Sequence, residues 1–161
     1  MRKEGVHMQD RQTPVLINLL AIARYDRMPD YPIQFMTRGT LVTDDEGSAR
    51  IEYTESIRDE DSGEVTESFV SLALEKNRVT MTRNGEFSNT MVFIPEQRFE
   101  GVYHTPYGEM NMGVFSRGVQ CDIGSTRGSV HLKYQLDIQG SYASSNELHL
   151  EYTAEKEGRV Q

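Results

Sequence analysis

The stretch His131–Ile138, "HLKYQLDI", decides the fold class. Its apolar residues recur at every second position: Leu132, Tyr134, Leu136 and Ile138 share one side, His131, Lys133, Gln135 and Asp137 the other. A period of two is the mark of a strand with one face buried and one face wet. "LHLEYTA" (148–154) repeats the pattern through Leu148, Leu150, Tyr152 and Ala154. "RIEYTESI" (50–57) offers Ile51, Tyr53 and Ile57, "VTMTR" (79–83) Val79 and Met81, and "NTMVF" (89–93) Met91 and Phe93. No window carries the 3.6-residue period of a long amphipathic helix.

Between these runs stand "DDEG", "EDSGE", "EKN", "RNGE", "TPYGE" and "DIGSTRG", all rich in residues that tolerate turn dihedrals. Asn84-Gly85 is the sharpest of them and predicts a two-residue hairpin turn. The pattern predicts ten strands, at 14–24, 32–43, 48–58, 64–74, 77–83, 87–94, 98–105, 109–121, 129–139 and 147–155. Residues 25–31, "YDRMPDY", are expected as a short helical turn or a lid-like loop. A sheet of so many hairpin-linked strands closes to remove its edges. The expected architecture is therefore an all-β, antiparallel up-and-down barrel of about eight to ten strands, with a two-sheet sandwich as the alternative.

The chain has 161 residues, which suits one domain that buries roughly 70% of its unfolded surface. It is expected to comprise a loose polar start (1–12), a barrel (13–155) and a loose end (156–161). Seventeen Lys and Arg against 25 Asp and Glu leave a net charge of −8. Such a balance repels phosphate backbones and anionic lipid, which argues against nucleic-acid and membrane-surface partners. Cys121 is the only cysteine, so no internal disulfide forms, and a reducing, cytoplasmic setting is expected. "RKEGVHMQDRQTPVLINLLAIA" imitates a signal peptide, but Glu4, Asp10 and Asn18 interrupt it; a strand is the expected reading.

The chain resembles the YwiB-like family of small bacterial proteins of unknown function. The likeness rests on Phe35-x-Thr37-x-Gly39, Val79-x-Met81-x-Arg83-x-Gly85, Pro106-Tyr107-Gly108-Glu109, the "VQCD" ending at Asp122, and the Tyr134 strand. It covers most of the chain after residue 12. The departures are the N-terminal extension, the 25–31 loop, and Cys121 where a small polar residue is more usual. The resemblance implies a calycin-like, lipocalin-type barrel with a ligand-holding cavity, and it implies no reaction and no catalytic residue.

In "VYHTPYGEMNMGVFSRGVQC" (102–121), Met110, Met112 and Val114 share one phase. After Gly113, Ser116 and Gly118 the apolar set shifts to Val119 and Cys121, as at a β-bulge or barrel corner. Cys121 is then a small buried apolar residue. His104, His131 and His149 are dispersed on outward phases and His7 lies in the loose start, so no metal site is expected. Pairing residues that sum to about 286 sets His149 opposite Asp137. In the third hairpin, pairs summing to 122 set Ile57 against Val65, Tyr53 against Phe69, and Glu55 against Glu67. Two facing carboxylates can serve acid–base chemistry, but the acidic tip around Glu52, Asp59, Glu60, Asp61 and Glu64 reads more simply as a solvated turn.

Arg83 continues the phase of Val79 and Met81 and so points inward near a barrel end. There a guanidinium is either a structural group paired with a carboxylate or carbonyls, or the anchor of a bound molecule. In the second reading Arg83 fixes the polar, anionic head of a small, partly apolar ligand, and Thr37 on its own strand joins the inward phenols. Tyr53, Phe93, Tyr103, Met112, Tyr134 and Tyr152 then line the cavity. No cofactor and no catalysis are expected of such a site. A second reading is a protein-interaction module that uses the acidic 52–67 hairpin or a strand edge; a third is a hydrolase using Glu55 and Glu67. A homodimer through strand edges is compatible with each.

Overall fold

The computed structural model describes residues 10–155, and they form ten antiparallel strands with no helix. These are β1 (Arg11–Arg24), β2 (Tyr31–Thr43), β3 (Ala49–Arg58), β4 (Val65–Glu75), β5 (Arg78–Gly85), β6 (Asn89–Phe93), β7 (Arg98–Thr105), β8 (Gly108–Ile123), β9 (Arg127–Ile138) and β10 (Ser141–Ala154). The strand count follows the sequence pattern. The ends of the chain expected to be loose, 1–9 and 156–161, fall outside the described residues, as does His7; Arg11 and Gln12 already belong to β1.

The sheet order is β6-β5-β4-β3-β2-β1-β10-β9-β8-β7. β1 and β10 pair from Val15↔Ala154 to Arg24↔Ser145, which bends the sheet into a barrel. The two outermost strands nearly meet: Ser88 and His104 exchange both backbone hydrogen bonds at 2.9 Å. Inward-phase residues fill the interior. Val15, Ile17, Ile51, Leu72, Val130 and Leu150 are fully buried, each contributing roughly 1.5–3 kcal/mol by leaving water.

Several expected registers are corrected. Asn84-Gly85 is not a turn; both residues continue β5, with Gly85 opposite Ser68. Gly85 is needed for close approach instead, because a Cβ there would lie 2.8 Å from the Glu67 carbonyl and the Ser68 hydroxyl. The two-residue turn with both residues at positive φ is Gln139-Gly140 (52° and 83°), the combination of a type I′ hairpin turn. β10 therefore starts at Ser141 rather than 147, and His149 faces His131, while Asp137 pairs with Tyr142. The third hairpin is shifted by one residue: Ile57↔Thr66, Tyr53↔Val70, Glu55↔Ser68 and Ser56↔Glu67. Its six-residue loop is set by Asp59, whose Oδ1 accepts from the Asp61 and Ser62 amides at 2.8 and 3.4 Å. The phase change in β8 is a bulge as expected, with register shifting between Ser116 and Gly118. Residues 25–30 form a turn, with Arg27 at φ 63°.

The two barrel ends differ. One is stoppered by Tyr152, whose hydroxyl donates to the Gly124 carbonyl at 2.7 Å and accepts from its amide at 3.1 Å. At the other end the tips 25–30, 59–64, 86–88, 106–107 and 139–140 stand around a mouth.

Candidate functional site

Arg83 reaches the mouth because β5 alternates regularly: Val79 and Met81 are buried, and the next inward position is the first that water reaches. Its side chain is 23% exposed, and its Nε donates to Glu55 Oε1 at 3.1 Å; Glu55 is 17% exposed. Glu55 comes from β3, one strand beyond β4, and lies opposite Ser68. The ion pair thus crosses the inner face of β4. Glu55 is the one ion-pair partner of Arg83 among the described residues, and it engages Nε alone. The two terminal nitrogens remain available to a third group.

Beside the pair lies a pocket of about 400 Å³, walled by Ile57, Asp59, Thr66, Ser68, Phe87 and Tyr103. Phe87 and Tyr103 face each other with ring centroids 6.1 Å apart and planes tilted by 37°. The wall is apolar along one side and carries hydroxyls and charges along the other. A larger groove of about 580 Å³ runs on the outer wall by Arg98 and Gly113, but Arg98 is already tied to Glu100 at 2.7 Å and Asp137 at 2.9 Å. The mouth differs from that groove in setting an apolar wall beside a guanidinium whose terminal nitrogens carry no ion pair among the described residues.

Of the residues singled out from sequence as ligand-binding, Arg83 and Tyr103 line this pocket, and Glu55 of the expected carboxylate pair lines it with them. Tyr53 is buried beneath it, and burial above all pushes its phenol far up from the ordinary range, with Glu55 adding and Arg83 opposing. Tyr134 stacks edge-on against Phe93 at 4.9 Å; burial again raises its phenol, and Arg83 opposes. Both phenols therefore stay protonated. Phe93 and Met112 are packed in the core, and Tyr152 belongs to the opposite end through Gly124. Thr37 is half-buried on β2, opposite Ile17, away from the pocket lining. Of the pocket walls that sequence reasoning missed, Thr66 and Ser68 follow from the register shift in β3–β4, Phe87 sits in the loop after β5, and Ile57 shares the inward phase of Tyr53.

The facing carboxylates are not found. Glu67 stands opposite Ser56 on the outer face, whereas Glu55 turns inward to Arg83. Cys121 is half-buried, and burial pushes its thiol up, the opposite of an activated nucleophile. His131 and His149 meet edge to face at 4.7 Å, and His104 lies 3.1 Å from Glu109. Among the described residues no three His, Cys, Asp or Glu side chains converge as metal ligands, and no helix is long and apolar enough to cross a membrane.

The family model described as "Domain of unknown function (DUF1934)" matches residues 22–150. The crystal structure of the ywiB protein from Bacillus subtilis superimposes with a TM-score of 0.76 over 93% of this chain and 98% of that one, at 16% identity. A likeness at that identity shows the fold, a calycin-like barrel, in agreement with the resemblance seen in the sequence. No curated protein matches the chain.

Proposed function

We propose, for a chain that belongs to the DUF1934 family of domains of unknown function, that the barrel mouth binds one small amphipathic molecule without transforming it. The observation that carries this reading is Arg83: a mostly buried guanidinium held at Nε by Glu55, with its other donors beside an apolar-walled space. A buried charge of this kind stays only where its hydrogen bonds are met. Glu55 meets them at Nε alone, so a ligand's acceptor has the two terminal nitrogens to bond.

The polar head is defined further by its surroundings. Glu55 and Asp59 against Arg83 leave the lining with one net negative charge. A bare anion is therefore a poorer fit than a head offering an acceptor to Arg83 and a donor to Glu55, such as an amide or a zwitterion. Ile57, Phe87 and Tyr103 accommodate the apolar part. The packed core beneath restricts the guest to the mouth.

Native mass spectrometry on protein purified gently from its own source tests this. The expected result is excess mass that disappears on denaturation and is reduced in both Arg83→Ala and Phe87→Ala, with both variants still folded. A clean apo mass in the wild type, or a guest retained in full by both folded variants, overturns the proposal.

A further inference from the structure

Between β2 and β3 the barrel wall comes apart. β1 pairs with β2 over the whole of β2, from Arg11↔Thr43 to Ala23↔Tyr31. β3 meets β2 only from Thr43↔Ala49 to Gly39↔Tyr53. Among the described residues Tyr31–Arg38 and Thr54–Arg58 thus have a ladder partner on one side only, and two strand edges run unpaired toward the mouth. Gly39 marks the branch: a Cβ there would press on the Glu52 carbonyl and lie 2.6 Å from Ile17 Cδ1, so only glycine lets the strands close up at that point. Beyond it Glu55 is drawn across β4 to Arg83.

Large apolar side chains lie exposed along both unpaired edges: Tyr31, Ile33 and Met36 on β2 and Ile57 on β3. Ile33 and Met36, on the unpaired part of β2, are 47% and 61% exposed. An unpaired edge bordered by exposed apolar side chains is a template for another strand. Pro32 blunts only its outer end, because it lacks an N–H, and leaves residues 33–38 receptive. At the open end stands the exposed tip bearing Asp59, Glu60, Asp61 and Glu64.

We infer that this gap receives an extended segment of a partner protein, which adds as a strand along β2 and carries basic residues where it passes the 59–64 tip. The antiparallel orientation to β2 offers the longer edge and the better hydrogen-bond geometry. A segment so oriented runs from the closed base of the gap to its mouth, so its basic residues lie at its C-terminal end. Its inward side chains continue the apolar row of Ile33 and Phe35, and its outward ones are polar apart from a neighbour for Met36. A second copy of this chain is the poorer occupant, since it brings a net charge of −8 and the same acidic tip.

Amide hydrogen exchange on the full chain, with and without a synthetic peptide alternating threonine and valine and ending in two lysines, tests the inference. In the free protein, the amides of 33–38 that point into the gap are expected to exchange far faster than those of 39–43. The peptide is expected to slow exchange at 33–38 and at 54–58. Binding should weaken about tenfold or more when the peptide amides facing β2 are N-methylated, and also with Asp59→Lys/Glu60→Lys/Asp61→Lys; tenfold corresponds to about 1.4 kcal/mol. Absence of protection at millimolar peptide, or protection indifferent to N-methylation, overturns the inference. So does a free protein that is already protected at 33–38 and has a dimer's mass by light scattering, because a second copy then covers the edge.

Discussion

The two ends of this barrel are built from the same alternating strands, yet one is finished and the other is not. At the stoppered end the Tyr152 hydroxyl answers both backbone groups of Gly124, and a Cβ at Gly128 would lie 2.5 Å from that tyrosine ring. Every polar atom involved is satisfied by the chain itself. At the mouth, Arg83 keeps unused donors, β2 and β3 keep unused edges, and large apolar side chains stay in water. Polar groups and edges left open at the mouth of this nearly closed barrel are where the proposed partners would act, and stability and recognition would then be divided between the two ends.

The sharpest way to break that division is to attack the finished end. Phe93→Ala and Tyr152→Ala each remove a fully buried ring and are expected to cost about 3–5 kcal/mol, a transfer loss plus a cavity that rigid strands cannot collapse. Urea unfolding measures it. Tyr152→Phe keeps the ring and loses only the two contacts to Gly124, so about 1–2 kcal/mol is expected. A Tyr152→Ala barrel as stable as wild type would mean that the stopper holds nothing.

Gly39→Val is next. The added side chain meets the Glu52 carbonyl and Ile17 at the point where β2 and β3 converge, and an overpacked strand crossing of this kind costs about 1–3 kcal/mol. It is also expected to lengthen the gap by undoing the last β2–β3 pairs, visible as faster amide exchange at 39–41. Loss of stability without that local signature would place the strain elsewhere.

At the mouth the same kind of truncation is milder. Arg83→Ala leaves Glu55 mostly buried without its cation, but water reaches both groups, so about 1 kcal/mol is expected rather than the 3–5 of a fully buried pair. Arg83→Met with Glu55→Met should restore stability while leaving a guest without its polar anchor. The comparison fails if the single variant unfolds the barrel.

The sequence carried the fold further than the site. Alternation revealed ten strands, the inward phase of Arg83 and the bulge in β8, because each depends on a period that the burial of one face imposes locally. Register was less legible, since it depends on loops whose length the pattern does not specify. Asn84-Gly85 has the composition of a turn, yet its glycine is there for the close approach of β4. Gln139-Gly140 lacks the usual asparagine and is the turn. One residue of slip in the third hairpin hid the partner of Arg83, since it placed Glu55 against Glu67 rather than Ser68. The β2–β3 gap left no local trace, because strands that part are composed like strands that pair.

The smallest expected effect tests how the mouth is tethered. Arg24, at the end of β1, bonds Glu147 on β10 at 2.8 Å and Asp30 across its own turn at 3.2 Å. The hydrogen bond from His149, and then that from Arg24, holds the Glu147 carboxyl below the ordinary glutamate range. A carboxyl depressed on folding contributes stability that is present above its unfolded pKa and is lost as pH falls through the folded value. Acidification below the ordinary glutamate range should therefore release Arg24 and loosen the β1–β2 tip before the rest of the barrel responds. The stopper has no such dependence, because Tyr152 and Gly124 are joined by neutral groups. Amide exchange or proton spectra followed from neutral to acidic pH should show residues 24–31 changing first and residues 122–128 last. Glu147→Gln should show the loosened tip already at neutral pH and a flatter acid response. If both ends change together, in wild type and variant alike, the carboxylate is not what holds the tip.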